Sequence, residues 1–284
     1  DSVSNISKEM GVSRKTASEI NKNTKELVAS STNKLATEQQ ILEIQKDYLE
    51  NNGQILDLTK KNNQDLVQTA VLAEQAYGIL KTDAMGVMSV FKSLGADDGL
   101  AQQLLSDLGY MADLAGMSPN VIAKDLIDSA KELSLYFGGM PKQAAKAAIQ
   151  IRRMGMSLKQ AGSIADKMLN IESFMTDMTE LSSMTSGRMN FSEAFDLRMQ
   201  GDLVGMTESI MKNIGTLQDF NGESEFVQRK LASTLGMEVT DLKKSLKLRE
   251  MQLQIGEDNV KLLQNNLDKI GDIEDRKSTR LNSS

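Results

Sequence analysis

Apolar residues recur along this chain at helical spacing and almost nowhere alternate as a half-buried strand requires. Ile41, Ile44, Tyr48, Asn51, Ile55, Leu58 and Asn62 follow a three-four stride, and Leu35, Leu42, Leu49 and Leu56 recur every seven residues beside them. Sustained seven-residue spacing predicts a coiled coil and self-association through it. Asn51 and Asn62 then stand at seam positions, where a polar side chain costs packing but fixes register and strand number. A solvated amphipathic helix lying on its own domain fits the same stride. At the other end Val239, Leu242, Leu246, Leu253, Val260, Leu263, Leu267 and Ile270 mark one long helix or two, weakened by Gly256 and Gly271.

Bulky side chains divide the chain. All 7 Phe lie between Phe91 and Phe226, and before Tyr77 the only aromatic is Tyr48. Most Met fall in the same central region. A packed core needs side chains that fill volume. The pattern therefore predicts an all-α, elongated molecule with long coiled-coil-like helices flanking a small multi-helix domain. Its divisions are a polar helical arm over 1–76, a Met- and Phe-bearing domain over 77–246, and a C-terminal arm over 247–274.

Gly, Ser and Pro punctuate the central domain. Gly116-Met-Ser118-Pro119 reads as helix stop, turn, N-cap and first helical residue. Gly155-Met-Ser157 repeats the stop, and Ser157 with Gln160 forms a capping box. Gly236-Met-Glu238 is a third version. The spacing of these glycines also admits a repeat near forty residues, although helix punctuation explains them more simply. Charge comes in blocks: acids predominate from Asp97 to Asp128, bases from Lys142 to Lys167, and acids return at Glu172, Asp177 and Glu180. Neighbouring antiparallel helices with complementary faces account for this arrangement.

Composition narrows the chemistry. The chain has no Cys, His or Trp and a net charge of −6. That removes thiol catalysis, zinc thiolate sites and the commonest general base. The acidic balance argues against general nucleic-acid binding by bulk charge. The longest uncharged run, Leu114 to Ala123, holds Gly116 and Pro119 and is far below the roughly 20 residues of a membrane span. Glu172, Asp177 and Glu180 lie on a Met-rich helix without the aromatic platform of a sugar cleft. Asp97-Asp98-Gly99 lacks the alternating oxygens and distal Glu of a calcium loop, and Asp98 reads as the N-cap of the helix that follows. No catalytic residue, cofactor or metal site is expected.

Ile6 to Ile20 resembles the core of a DNA-reading helix-turn-helix. Gly11 falls at the turn, Met10, Val12, Ala17 and Ile20 at packing positions, and Ser13, Arg14 and Lys15 at the start of the second helix. Against this, the second helix is expected to run into the coil with no bundle to hold the motif. Specific nucleic-acid recognition is therefore not expected.

From Lys142 to Leu242 the order of motifs is more specific. Ala161-Gly-Ser-Ile-Ala-Asp166 leads to Leu169-Asn-Ile-Glu172-Ser173. Gly187-Arg188-Met-Asn190 is followed by Ala194, then Gly201-Asp202-Leu203, Ile214-Gly215, and Phe226-Val-Gln228-Arg229 leading to Gly236. The series, with Gly155 and Ser157 before it, resembles the central region of tail tape-measure proteins of long-tailed phages, above all the contractile-tailed ones. Phe195 stands where the pattern has Arg, and Glu238 where it has Ser. The resemblance implies a non-enzymatic virion protein that sets tail length. Several copies would occupy the tail lumen with tail-tube and assembly proteins as partners, after assembly in the host cytoplasm, and leave ahead of the DNA. A helical adaptor or assembly chaperone is the alternative, and a helix-turn-helix regulator a further one. The final stretch, 275–284, resembles translated sequencing adapter and is set apart as a non-native tail. The chain is accordingly expected to be a piece of a longer protein.

Overall fold

The computed structural model describes residues 2–30, 36–254, 259 and 261–267, with the side chains of 51 and 52 left aside. Leu35, Val260, Ile270, the glycines at 256 and 271, and the 275–284 tail lie outside the described residues, as does the side chain of Asn51. Among the described residues every regular element is an α-helix, and the chain is all-α as its periodicity predicts.

The chain forms two compact units, 1–110 and 111–284. The first begins with α1 (Ser2–Met10), α2 (Arg14–Ala29), α3 (Glu38–Asn52), α4 (Lys61–Tyr77) and α5 (Lys81–Ser93). The division falls within α6 (Asp98–Leu114), inside the 77–246 stretch defined by bulky side chains.

The long N-terminal coil is not what forms. The longest described helices, α4 and α6, have 17 residues each. The seam of Ile41 to Asn62 is cut at Gly53, which caps α3 with a left-handed φ of 66°. A left-handed residue ends the helical hydrogen-bond ladder, and glycine takes that conformation without the Cβ penalty. Ile41 and Ile44 are completely buried within the unit, and Leu56 and Leu58 are buried in the loop after α3. The apolar stride thus supplies a local core rather than a seam. Asn62 is exposed at the start of α4, where its Nδ2 donates to Asp98 Oδ2 at 3.3 Å. Lys81 of α5 pairs with Glu43 of α3 (3.2 Å) and Glu74 of α4 (2.8 Å), tying three helices together.

The second unit contains α7 (Pro119–Asp128), α8 (Ala130–Phe137), α9 (Pro141–Arg153), α10 (Leu158–Lys167) and α11 (Ile171–Met184). It continues with α12 (Ser192–Met199), α13 (Leu203–Ile214), α14 (Leu217–Gly222), α15 (Glu225–Leu235) and α16 (Val239–Leu253). The alanines of α9 are buried, which lets its backbone approach its neighbours closely. Phe174, Phe191 and Phe220 are completely enclosed, and Met156, Met189, Met206 and Met211 are buried in the same unit. Flexible thioethers fill the gaps that rigid rings leave. α16 continues without a break from 246 to 247, where the C-terminal arm was expected to begin.

Candidate functional site

Most of the motif glycines from Gly155 to Gly236 stand at helix ends, while Gly162 is buried within α10. Ser157 caps α10: its Oγ accepts from Gln160 N (3.1 Å) while Gln160 Oε1 accepts from Ser157 N (2.9 Å), the predicted reciprocal box. Gly187 and Gly201 follow α11 and α12 with φ near +80°, and their N–H groups donate to Ser182 O (2.7 Å) and Arg198 O (3.0 Å). Gly215 ends α13 and Gly236 ends α15, each with positive φ. Asn190 turns the chain into α12, its Oδ1 accepting from Ser192 N at 2.9 Å and Ser192 Oγ at 2.6 Å. Glu172 is exposed in the first turn of α11.

Several of these positions meet in space. Arg188 forms an ion pair with Glu223, and Gln228 Nε2 donates to the Glu223 carbonyl at 2.9 Å, so two distant motifs share one residue. Asn190 N donates to Asn213 Oδ1 at 3.3 Å. Gly155 and Gly215 are joined through α16. Arg249 Nη1 donates to the carbonyls of Met211 (2.6 Å) and Gly215 (3.1 Å), closing the C-terminus of α13. The adjacent Glu250 accepts from Leu217 N at 2.8 Å, at the start of α14. A cation at a helix C-terminus and an anion at a helix N-terminus both complement the backbone partial charges there.

Ser157 and Gly236 both line an open cleft of about 610 Å³. Lys159, Lys167, Arg229 and Asp241 also line it. Lys167 Nζ donates to the Ser233 carbonyl near the end of α15, and a Cβ added to Gly236 would stand 3.1 Å from Lys167 Cδ. Arg229 is paired with Glu225 at 2.6 Å. The cleft thus combines helix ends with Lys167, Arg229 and Asp241, each engaged in a local contact.

Two expectations about charge need correction. The cap of α6 is Asp97 rather than Asp98, because Asp97 Oδ1 accepts from Leu100 N at 2.7 Å. Asp98 instead pairs with Lys92 at 2.7 Å. Asp177 and Glu180 of α11 find their partner outside the basic block: Lys230 of α15 contacts them at 2.7 and 2.5 Å. Arg152 of the basic block does favour the ionised form of Asp125 in the acidic block.

Asp125 is the residue that its acidic block concealed. It is buried on α7, and its two carboxylate oxygens accept from Leu158 N at 3.2 and 3.1 Å, with Ser129 Oγ at 3.5 Å. It therefore satisfies the first N–H of α10 from another helix. Burial pushes its pKa up to about 6, against the lowering effect of the Leu158 hydrogen bond. No local spacing marks this contact, which joins residues 33 positions apart.

Among the described residues there is no cluster of three or more side chains suited to hold a metal ion, and no helix is long and apolar enough to cross a membrane. No family model matches the chain, and no curated protein or solved structure matches it significantly.

Proposed function

We propose that this chain is part of a tape-measure-like structural protein of a phage tail. Such a protein lies in the tail lumen during assembly and leaves ahead of the DNA. The observation that carries the reading is the ordered motif series from Ala161 to Gly236. Most of its glycines end helices and several of its polar residues join them, which suits a protein whose product is a shape rather than a reaction. The role needs no catalytic group and no cofactor.

The proposed partners are tail-tube subunits, tail-assembly proteins and other copies of the same chain. Copies would associate through surfaces other than the stride of Ile41 and Ile44, which is buried inside its own unit. A ruler gains about 1.5 Å per residue only where the helix is continuous. Helices of at most 17 residues among those described add little extended length, so measuring would fall to other sequence of the same protein.

Long-read sequencing of the source locus through both ends of this chain tests the reading. It predicts an uninterrupted, mostly helical frame several times longer, beside genes for tail-tube subunits and without the 275–284 tail. A short frame, starting just before Asp1 and far from tail genes, would favour a helical adaptor or assembly chaperone.

A further inference from the structure

The pair formed by α1 and α2 has a geometry that the tail reading does not use. α1 ends at Met10, Gly11 turns with a left-handed φ of 64°, and Ser13 caps α2, its Oγ accepting from Thr16 N at 3.2 Å. Three residues separate the helices, the spacing of a helix-turn-helix. Ser7 Oγ donates to Val12 O at 2.7 Å and ties the turn to α1. Ile6, Ala17 and Ile20 are buried together, with Val3, Met10 and Val12 packed against them.

The structure supplies the support that the sequence did not disclose. Leu42 of α3 packs on the same cluster. Gln45 of α3 donates from Nε2 to Thr24 Oγ1 of α2 at 3.3 Å, and both residues are buried. α3 therefore holds the pair from behind as a third helix, and the opposite face of α2 is left exposed. Arg14, Lys15, Ser18, Lys22 and Lys25 all lie on that face. At 3.6 residues per turn they fall within about 100° of arc. Glu19 and Glu26 stand at its edge, with Glu26 3.7 Å from Lys22. In a chain of net charge −6 this stripe is a local reversal of sign.

We infer that α2 is a recognition helix for double-stranded DNA. A helix fits the major groove, and residues at its N-terminal end reach base edges and the neighbouring phosphates. Arg14, Lys15 and Ser18 lead into the groove, and Lys22 and Lys25 meet phosphates along its wall. The inference stands on α1–α3 alone and is independent of the tail reading.

Fluorescence anisotropy of the full chain with a labelled mixed-sequence duplex tests it. Binding is expected at about 50 mM salt and is expected to weaken steeply by about 200 mM, as counterion release requires. The double variant Arg14→Ala/Lys15→Ala should lower the salt-dependence slope by about two and weaken binding roughly tenfold or more. Both side chains are exposed, so circular dichroism should be unchanged. Lys244→Ala, which removes an exposed lysine of α16, should change neither quantity. Absence of binding at low salt, or binding that the double variant leaves intact, would overturn the inference. So would capture of a tail-tube subunit that depends on Arg14 and Lys15 without any binding of duplex, since that would make the face a protein contact.

Discussion

The backbone of α16 passes so close to Gly155 that a Cβ there would overlap the carbonyl oxygen of Ser245 and lie 2.8 Å from its carbonyl carbon and 3.0 Å from Arg249 N. Gly155 also has a φ of +84°. Two independent constraints, space and backbone conformation, therefore select glycine at one position.

Gly155→Ala should destabilise the protein by about 2–4 kcal/mol, combining a left-handed penalty with overpacking against backbone that cannot yield. Thermal unfolding by circular dichroism should show a fall of roughly 5–15 °C. Gly187→Ala provides the comparison. Gly187 has a φ of +80° but nothing within 4 Å of an added Cβ. That variant should lose only about 1–2 kcal/mol. Equal losses in the two variants would contradict the close approach of α16.

Arg249 is the side chain that fastens α16 to the end of α13. Arg249→Ala leaves the Met211 and Gly215 carbonyls without their charged donor and should cost about 1.5–3 kcal/mol. Arg249→Lys retains the charge but not the planar donor geometry, and should recover only part of the loss. Urea midpoints of the three proteins, at constant slope, measure this ordering.

Asp125 gives stability a pH dependence of definite sign. Its folded pKa of about 6 lies above the ordinary aspartate value of 3.8, so the folded state binds more protons than the unfolded state between these values. This group therefore favours folding most below about pH 4, and that contribution is lost as pH rises through about 6. The change amounts to roughly 2–3 kcal/mol. Asp125→Asn keeps an oxygen that can accept from Leu158 N but cannot ionise. Subtracting its urea-denaturation profile from that of the parent protein isolates the effect. The parent should lose stability relative to the variant from pH 4 to 7, and a difference that is flat or of opposite sign would refute the assignment.

Short-range chemistry was the legible part of this fold. The box of Ser157 and Gln160, Pro119 at a first helical position, and the stops at Gly116, Gly155 and Gly236 all act within a few residues of chain, so local sequence displays them. The seven-residue leucine pattern misled because periodicity records which side is apolar and not what covers it. Gly53 decided the outcome, turning a seam into the core of a short-helix bundle. Asp125 with Leu158 and Arg249 with Gly215 escaped notice for the opposite reason. Each contact joins residues more than thirty positions apart, and no local spacing marks either side chain.

The most direct test of the proposed tail reading is to obtain virions carrying the source locus and probe them with an antibody raised against this chain, before and after DNA ejection is triggered. The account predicts that intact tails contain the protein in several copies, shielded from the antibody until the tails are opened, and that emptied tails have lost it. Absence from intact virions, or retention in emptied tails at the original level, would contradict a protein that fills the tail lumen and leaves ahead of the DNA.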